Sequence, residues 1–502
     1  MLTVFITTLI TLTVGTLTTG IRASAVAATQ ADPPHTLHIE TTRLHTLDPA
    51  YLSVAIDTAV VLDGEWWTDT GPPDLTHPRF LALSKLLTSQ APTYLRVGGT
   101  DADKVRYALH TRSSQKTPEL MLTRAKWNAL HKLSEFLGTS LLFTLNAGPN
   151  SREAGAWESN NAAELIHHAT DHTKDTPRSL PPLYSWELGN EINGYPLFFN
   201  FFLSGEQYAR DLKHFKQRFP TEPLAGPATA WWPEWGEPLG LLPEVLKHGG
   251  SHLDILTWHY YPQQSQRCGI QSRPAARTTL LNPTALDTAV HYAQHIERLR
   301  RRYAIQAHHW LGETGHAQCG GAPGLSDRWI SSLWWLDQLG ALAKTGVSVQ
   351  VRQALVGSDY GLLEEQSFAP RPDYWSSVLW KQLMGPEVLS LQLSHPTRTP
   401  EKNVRSYAHC HPQKGVSLLL INLKNSSQKA YLPYPISHAR QFLLQGQLMD
   451  KTVTLNGQSI DENEAIKHQQ LLSEVLSHPH LEIPAYGALF IHLPDFEVPA
   501  CL

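Results

Sequence analysis

The sequence has no excess of positive charge. Its 41 Lys and Arg residues are balanced by 45 Asp and Glu residues, which gives a formal net charge of −4 over 502 residues. This balance argues against a protein that binds nucleic acid or another polyanion mainly through its overall charge. Charged residues make up only 17% of the chain and hydrophobic residues 41%, so the composition predicts a large folded core and not a disordered protein.

Several motifs of common catalytic classes are absent. No Gly-rich phosphate-binding loop follows a predicted strand, and no G-x-S-x-G motif occurs. Two histidine groups, His167-His168 with His172 and His409 with His411, lack a carboxylate or further ligand at a spacing typical of metal sites. We therefore predict that the protein uses no metal and no other cofactor.

Long apolar stretches are also scarce, since only residues 2–20 are apolar enough for an export signal or a membrane anchor. Small residues at 23–28 follow in the pattern of a cleavage site, which predicts a signal peptide over 1–28 and a secreted, periplasmic or extracellular protein. No Lys or Arg precedes Arg22, so an uncleaved N-terminal membrane anchor is the alternative.

Only four cysteines are present, and an exported chain with four cysteines has three pairings open to it. Cys268 and Cys319 lie in the middle of the chain, whereas Cys410 and Cys501 lie in its C-terminal part. Pairing within each group is the economical arrangement, and an oxidising compartment permits both bonds.

Short apolar runs alternate with longer amphipathic stretches over residues 52–385, which is the pattern of repeated βα units. Eight strands are predicted, at 53–57, 94–98, 141–146, 184–189, 223–226, 255–259, 310–313 and 347–352. Helices are predicted between most of them, including 284–302 and 328–344. The count and the length predict an α/β fold, a (β/α)8 TIM barrel.

The character of the sequence changes after residue 386. Runs at 416–423, 429–432 and 488–493 alternate with Asn-Gly, Pro and Ser turns, which predicts a flanking antiparallel β-sandwich domain over 386–502. Residues 36–47 predict one more strand, so the segment 29–51 is expected to join this β-sandwich.

Two glutamates lie at predicted strand ends of the barrel, where polar residues are usually functional. Glu191 follows the fourth strand in the run W-E-L-G-N-E, and Glu313 ends the seventh. A retaining glycosidase needs one carboxyl group that protonates the leaving oxygen and one carboxylate, about 5 Å away, that attacks the anomeric carbon. We predict Glu191 as the acid/base and Glu313 as the nucleophile, with the Asn190 amide binding the sugar 2-hydroxyl. Two close carboxylates also resist ionising together, so the pKa of one of them is expected to be raised.

These motifs belong to a wider set of matches. Along nearly its whole mature length the chain resembles heparanase and the heparanase-like β-glucuronidases of glycoside hydrolase family 79. The matching runs lie at 52–57, 94–100, 185–191, 257–259, 311–314, 320–323, 351–353, 372–375, 432–435 and 455–457, and at Cys501. The resemblance implies a (β/α)8 catalytic domain beside a β-sandwich, and retaining cleavage of β-glucuronidic bonds in glycosaminoglycan-like polysaccharides.

The resemblance also implies roles for individual residues. The predicted substrate-binding residues are Asp57, Thr58, Thr100, Asn190, His259, Tyr261, Cys319, Gly320, Gly321 and Tyr360. Backbone N–H groups at Cys319 and Gly320 are expected to hold the uronate carboxylate. For His259 and Tyr360 the alternative is a purely structural place in the packed barrel mouth.

The two predicted disulfides have different grounds. The Cys410–Cys501 pair matches the tie between the start and end of the family's β-sandwich. The Cys268–Cys319 pair is predicted because the two residues follow strands six and seven, on adjacent loops of the active face. A bond there is expected to hold the backbone that receives the uronate carboxylate.

The chain departs from animal heparanase in two respects. Residues 101–138 form a short segment, which predicts a single-chain enzyme without excision of a linker. Residues 230–235 read A-W-W-P-E-W where the family has basic residues, so binding of highly sulfated chains is not expected. The tryptophans at 231, 232 and 235 either stack on sugar rings or pack within their loop.

Three functions are open on the sequence alone. The first is heparanase-type cleavage inside a glucuronic-acid-containing polysaccharide, the second is exo-β-glucuronidase action on a terminal unit, and the third is non-catalytic carbohydrate binding. The presence of both predicted carboxylates disfavours the third. Arg267, Arg273 and Arg277 either meet carboxylates or sulfates beyond the cleaved unit or lie in a solvated loop. The protein is expected to be a monomer.

Overall fold

The structure, a computed structural model, describes residues 34–64, 71–109, 120–175, 183–395 and 402–502. The predicted signal peptide or anchor at 1–28 lies outside these residues. Within the described residues, no helix combines the length and the apolar character needed to cross a bilayer.

Eight parallel strands close into a barrel in which each strand pairs with its neighbours in chain order. They are β1 (Leu52–Asp57), β2 (Tyr94–Gly98), β3 (Ser140–Leu145), β4 (Leu183–Leu188), β5 (Leu224–Trp231), β6 (Ile255–Tyr260), β7 (His308–Thr314) and β8 (Val349–Arg352). The predicted (β/α)8 barrel is confirmed. The fifth strand is longer than the predicted 223–226, because residues 229–231 continue to pair with β6.

Helices connect the barrel strands and one lies in the C-terminal part. The α-helices are Thr58–Leu62, Pro78–Ser89, Arg124–Leu137, Asn160–Asp175, Tyr195–Phe198, Gly205–Arg218, Leu241–Gly249, Arg277–Leu280, Pro283–Tyr303, Trp329–Leu342, Pro372–Leu383 and Glu462–His468. Short 3-10 helices lie at Thr100–Lys104, Pro149–Ser151, Ile192–Gly194, Gly250–His252 and Pro499–Cys501. The ends carry ordinary stop and start signals: the Asn282 side chain caps Pro283–Tyr303, and Gly138 ends Arg124–Leu137 in a left-handed conformation.

Aromatic rings fill the barrel interior towards its N-terminal end. The rings of Tyr94, Tyr184 and Trp310 lie with centroids 4.3 to 5.6 Å apart. They pack against a layer of small and aliphatic side chains, which are Ala55, Leu142, Ala225, Ile255, Val349 and Val351. Because this part of the barrel is apolar, its polar chemistry is concentrated at the C-terminal strand ends.

The other large sheet has eleven strands. Ten follow in the order Gln458–Ser459, Thr454–Leu455, Arg440–Gln445, Ala488–Leu493, Val416–Asn422, Val404–Cys410, Glu387–Ser394, His35–Thr46, Gln428–Tyr431 and His480–Ile483, and Glu474–Val475 pairs with Arg440–Gln445. One pair departs from the antiparallel prediction, because His35–Thr46 runs parallel to Gln428–Tyr431 and makes the sheet mixed. The N-terminal strand reaches this position from outside the domain and not through a hairpin, so nothing forces it to be antiparallel to both neighbours. The domain boundaries at 51 and 385 stay a prediction.

Three small pairs of strands complete the secondary structure of the described residues. They are Arg106–Ala108 with Met121–Thr123, Arg152–Glu153 with Ala156–Trp157, and Gln263–Gln264 with Ala317–Gln318. The third pair joins the segments that follow β6 and β7.

Both predicted disulfides are formed. Cys410 at the end of its strand is bonded to Cys501 across 91 residues, which ties the C-terminal turn to the mixed sheet. Cys268 is bonded to Cys319 across 51 residues and links the segment after β6 to the segment after β7.

Candidate active site

Glu191 and Glu313 lie together at the C-terminal end of the barrel. Glu313 is part of β7, and Glu191 follows β4 in a left-handed conformation (φ 48°). The Glu191 N–H donates to the Ala228 carbonyl of β5 at 2.9 Å, which holds this turn in place. A carboxylate oxygen of each glutamate and a ring nitrogen of His259 lie within 4.8 Å of one another. Two buried carboxyl groups so close can divide the acid and nucleophile roles of glycoside hydrolysis.

A buried arginine of β2, Arg96, binds the carboxylate of Glu313. Its Nη1 donates to Glu313 Oε2 at 2.7 Å, its Nε to Glu187 Oε2 at 2.9 Å and its Nη2 to Asn190 Oδ1 at 2.9 Å. The Arg96 side chain is only 1% exposed, so these charge-assisted bonds lie out of water and are strong. One guanidinium therefore connects three parts of the barrel: β4 through Glu187, the turn that follows β4 through Asn190, and β7 through Glu313.

The environment of Glu313 favours the ionised carboxylate. Burial raises its pKa, but the charges of His259 and Arg96 and the hydrogen bonds from Tyr261 and Arg96 outweigh burial and lower the pKa below its ordinary value. The Tyr261 hydroxyl donates to Glu313 Oε1 at 2.7 Å. The Glu313 carboxyl group is thus prepared to act as an anion.

Glu191 has two polar neighbours. His259 Nδ1 lies 3.2 Å from Oε1, and Gln318 Nε2 donates to Oε2 at 3.4 Å. The indole N–H of Trp232 donates to Gln318 Oε1 at 3.1 Å. Since the amide oxygen is occupied by this donor, the amide nitrogen is the end that faces Glu191.

Asp57 ends β1 beside these groups. Its Oδ1 accepts from the Ala59 N–H at 2.9 Å and its Oδ2 from Gln353 Nε2 at 3.2 Å. Burial raises the pKa of Asp57 to about 7, against the opposing effect of the Ala59 bond. A Cβ atom at Gly99 (φ 107°) would lie 2.7 Å from Asp57 Oδ2, so this position needs glycine.

The two predicted threonines flank this glycine and aspartate. Thr58 follows Asp57 as the first residue of Thr58–Leu62 and is buried. Thr100 follows Gly99 as the first residue of Thr100–Lys104 and is partly exposed. Their contact with a sugar stays a prediction.

Tyr360 follows β8 and packs beside Tyr261, the residue that follows β6. Its ring centroid is 6.1 Å from that of Tyr261, and its side chain is buried. Burial, and then the charges of Asp57 and Glu313, raise the pKa of Tyr360 well above its ordinary value. The hydroxyl is therefore a proton donor across the physiological range.

The segment after β7 has three consecutive residues with positive φ. Cys319, Gly320 and Gly321 have φ values of 62°, 80° and 87°. The Gly321 N–H donates to the Ala317 carbonyl at 3.1 Å, and the Gly320 carbonyl accepts from the Asp359 N–H at 2.8 Å. The Gly321 N–H is thus engaged within the loop, which leaves the N–H groups of Cys319 and Gly320 as the predicted uronate donors.

The arginines after β6 brace neighbouring loops. Arg267 Nη1 donates to Asp359 Oδ2 at 2.8 Å and to the Gly321 carbonyl at 3.0 Å. Arg273 pairs with Glu234 at 2.6 Å. Both are thus bound to protein groups and not simply solvated, and Arg277 begins the helix Arg277–Leu280.

The three tryptophans after residue 230 have different surroundings. Trp231 belongs to β5, and its buried ring packs 5.2 Å from Tyr292 of the outer helix Pro283–Tyr303. Trp232 is buried and reaches Gln318, whereas Trp235 is 54% exposed. Loop packing therefore describes Trp231, and sugar stacking stays open for Trp235.

Metal binding has one candidate among the described residues, the same group of Glu191, His259 and Glu313. A cation there would face the Arg96 guanidinium, which lies 2.7 Å from Glu313. The positive charge of this guanidinium opposes a second cation at the group, whereas the two carboxylates attract one.

Four polar residues of the site were not among the predicted site residues. Arg96 and Glu187 are charged residues inside apolar strands, a pattern that can indicate side chains pointing into a barrel. Gln318 and Gln353 carry no such signal, because Gln318 lies in the two-residue strand Ala317–Gln318 and Gln353 lies just beyond β8, in segments whose path depends on the fold.

Comparisons with known proteins identify the family and a similar fold. Residues 74–340 match the family described as "Glycosyl hydrolase family 79, N-terminal domain". The chain is 30% identical to a protein named heparanase from Gallus gallus, over 85% of this chain and 79% of that protein. It is 29% identical to heparanase from Bos taurus, over 91% of each chain. In fold it is similar to a 4-O-α-L-rhamnosyl-β-D-glucuronidase from Fusarium oxysporum, with a TM-score of 0.63, 15% identity, and 92% of this chain and 98% of that chain covered.

Proposed function

The chain belongs to glycosyl hydrolase family 79, and from this premise we propose that it cleaves β-glucuronidic bonds with retention of configuration. The observation that carries the proposal is the buried carboxyl pair. An oxygen of Glu191 and an oxygen of Glu313 lie within 4.8 Å of each other, which supports the short carboxyl separation that a retaining mechanism uses.

The two carboxyl groups have distinct roles. The Glu313 carboxylate attacks the anomeric carbon while Glu191 gives its proton to the leaving oxygen, so the glycosidic bond breaks and a glycosyl ester forms. Glu191 then removes a proton from water, and the water oxygen displaces Glu313 from the anomeric carbon. The lowered pKa of Glu313 and its bonds to Arg96 and Tyr261 support its role as nucleophile.

Sugar hydroxyl groups are recognised by Asp57 and Asn190. Asn190 Oδ1 accepts from Arg96 at 2.9 Å and from the Gly99 N–H at 3.2 Å, so its Nδ2 is the atom that donates to the 2-hydroxyl. His259 and Tyr261 hold the two carboxyl groups and line the floor of the subsite. Thr58 and Thr100 complete the predicted contacts beside Asp57.

The uronate carboxylate lies at the loop after β7. The Tyr360 hydroxyl and the backbone N–H groups of Cys319 and Gly320 donate to it, and Arg267 braces the loop through its bond to the Gly321 carbonyl. The substrate is a glucuronic-acid-containing, glycosaminoglycan-like polysaccharide or oligosaccharide. The two disulfides support an oxidising location outside the cytoplasm.

The test begins with an aryl β-glucuronide. The wild type should release the β-anomer of glucuronic acid first, as followed by proton NMR. Glu191→Gln and Glu313→Gln should each lower turnover by several orders of magnitude, whereas Glu206→Gln, an exposed carboxylate on an outer helix, should leave it unchanged. An α-anomer as first product would refute the retaining mechanism.

Azide rescue assigns the roles. Azide should restore cleavage by Glu313→Ala with inverted product and by Glu191→Ala with retained product, and the opposite pattern would mean that the roles are exchanged. Size-resolved products from heparan sulfate, hyaluronan and chondroitin then separate internal cleavage from removal of terminal units. Binding of these chains without turnover would favour the non-catalytic alternative.

A further inference from the structure

Large apolar side chains are exposed on two neighbouring loops of the active face. Five of the twelve exposed large apolar residues of the described chain lie there. They are Leu197 (57% exposed), Phe198 (43%) and Phe202 (64%) after β4, and Trp235 (54%) and Leu239 (48%) after β5. We call these five residues the aromatic rim. Such a concentration of exposed apolar surface at one place usually marks a binding surface.

The two loops are held together beside the acid/base. Asn193 lies two residues after Glu191, and its Nδ2 donates to the Ala230 carbonyl of β5 at 2.8 Å and to Glu237 Oε1 at 3.3 Å. The Ala230 N–H donates back to Asn193 Oδ1 at 2.9 Å. The β4 and β5 loops therefore lie side by side, with Glu191 at the root of the first.

Trp235 belongs to a tight turn that reaches the acid/base. The N–H groups of Trp235 and Gly236 donate to the Trp232 carbonyl at 3.3 and 2.8 Å. The Trp232 indole in turn donates to Gln318, whose amide donates to Glu191. The second loop is thus connected to the same carboxyl group as the first.

The aromatic rim carries no basic side chain. Residues 191–204 and 232–240 contain no Lys or Arg, whereas Glu234 and Glu237 lie in the second stretch. The arginines that reach these loops are paired, Arg273 with Glu234 at 2.6 Å and Arg152 with Asp211 at 2.9 Å. A sulfate group brought against this surface would lose water without gaining an unpaired counter-charge.

The position of the aromatic rim relative to Glu191 indicates which part of the substrate it would bind. An acid/base protonates the leaving oxygen, so the leaving group lies on the Glu191 side of the cleaved bond. Aromatic side chains bind the apolar face of a ring by stacking. We propose that the aromatic rim is the leaving-group subsite and that it takes an uncharged ring, either a neutral sugar or an aryl group, in preference to a sulfated sugar. This proposal rests on the proposed glucuronidase function.

The test compares leaving groups in Phe202→Ala, Trp235→Ala and the double variant. The substrates are β-glucuronyl fluoride, whose leaving group is too small to reach the rim, a naphthyl β-glucuronide, and a glucuronyl disaccharide with a neutral or a sulfated second sugar. Each variant should lower kcat/KM for the naphthyl and neutral-sugar substrates by about 3- to 10-fold, the effect of losing one ring contact, and leave the fluoride unchanged. A larger loss for one of these two substrates identifies which ring the rim prefers.

The matched control is Ile305→Ala. Ile305 is 76% exposed and precedes β7, at the opposite end of the barrel, so its loss should change no substrate. The proposal would be overturned if the rim variants kept the wild-type ratio of kcat/KM for the ring-bearing substrates to kcat/KM for the fluoride. It would also be overturned if the wild type cleaved the sulfated disaccharide faster than the neutral one. Loss of binding to lipid vesicles with unchanged ratios would assign the rim to a membrane surface and also overturn it. Absence of fluoride hydrolysis in the wild type would instead refute the glucuronidase function and the proposal with it.

Discussion

Replacing Arg96 by Met should raise the pKa of Glu313, because it removes the positive charge that stabilises the Glu313 carboxylate. In the wild type the Arg96 Nη1 atom lies 2.7 Å from Glu313 Oε2, and both groups are buried. An opposite charge at such a distance lowers the pKa of a carboxyl group by about 1 to 3. Because the attacking carboxylate must be ionised, its loss should move the acid limb of the kcat/KM profile upward by about 1 to 3 pH units.

The same replacement should cost stability through a second carboxylate. Glu187 is fully buried and would keep only the Thr144 hydroxyl, at 2.8 Å, once Arg96 is gone. Removing one partner of a buried ion pair typically costs about 3 to 5 kcal/mol. The folded-state pKa of Glu313 lies below its ordinary value of 4.5, so the stability it contributes is present above that value and is lost as pH falls through the folded pKa. In Arg96→Met the folded-state pKa of Glu313 moves up towards the ordinary value, so this acid-side loss of stability should become smaller.

The assay combines pH profiles with an aryl β-glucuronide and chemical denaturation followed by circular dichroism. Glu187→Gln is the matched control, because it removes the other main partner of Arg96 and leaves the bond to Glu313 in place. It should destabilise the fold without raising the acid limb. A folded Arg96→Met enzyme whose acid limb stays at the wild-type position would refute the assignment of Arg96 as the group that keeps Glu313 ionised.

Three further outcomes are expected. Cys410→Ser should lower the free energy of unfolding by about 3 to 5 kcal/mol because it opens a loop of 91 residues. Cys268→Ser should mainly raise the KM for a glucuronide. Peptide mapping that finds Cys268 and Cys319 as free thiols, or a KM in Cys268→Ser equal to that of the wild type, would contradict this second expectation. Binding of sulfated oligosaccharides should weaken only mildly between low and physiological salt, and a steep loss by titration calorimetry would reveal a polyanion site. Burial lowers the pKa of His409 from 6.5 to about 4. As pH falls from 6.5 to 4 the unfolded chain takes up a proton at this residue and the folded protein does not, so the free energy of unfolding decreases. In His409→Asn the denaturation midpoint should therefore depend less on pH over this range.

The barrel was predictable because its strands repeat one simple pattern. Apolar residues make up most of each strand, and polar residues lie at or just after several of the C-terminal ends, as Asp57, Glu191 and Glu313 do. The fifth strand was predicted too short because Pro227 reads as the end of a strand. In the barrel a shift of register between Pro227 and Thr229 accommodates the proline, and pairing with β6 resumes up to Trp231.

The parts that could not be predicted depend on which side chains meet. Arg96 was visible as a charged residue in an apolar strand, but its partners lie 91 and 217 residues away in Glu187 and Glu313. The mixed sheet has the same origin, since the parallel pairing of His35–Thr46 with Gln428–Tyr431 leaves no local trace in either strand. The periodicity of apolar residues indicates which face of a helix or strand is buried, but it carries no information on which other helix, strand or side chain that face will contact.

The loop after β7 shows how two parts of the site are coupled. Gln318, which donates to Glu191, is followed directly by Cys319, whose disulfide to Cys268 fixes the backbone predicted to hold the uronate. The Ser265 N–H also donates to the Gln318 carbonyl at 3.2 Å, so the segment after β6 holds both residues at once. Positioning of the substrate carboxylate and positioning of the acid/base therefore share one covalently held loop. A change in that loop should affect both binding and turnover, whereas the Arg96 network, built within the barrel, should be insensitive to it.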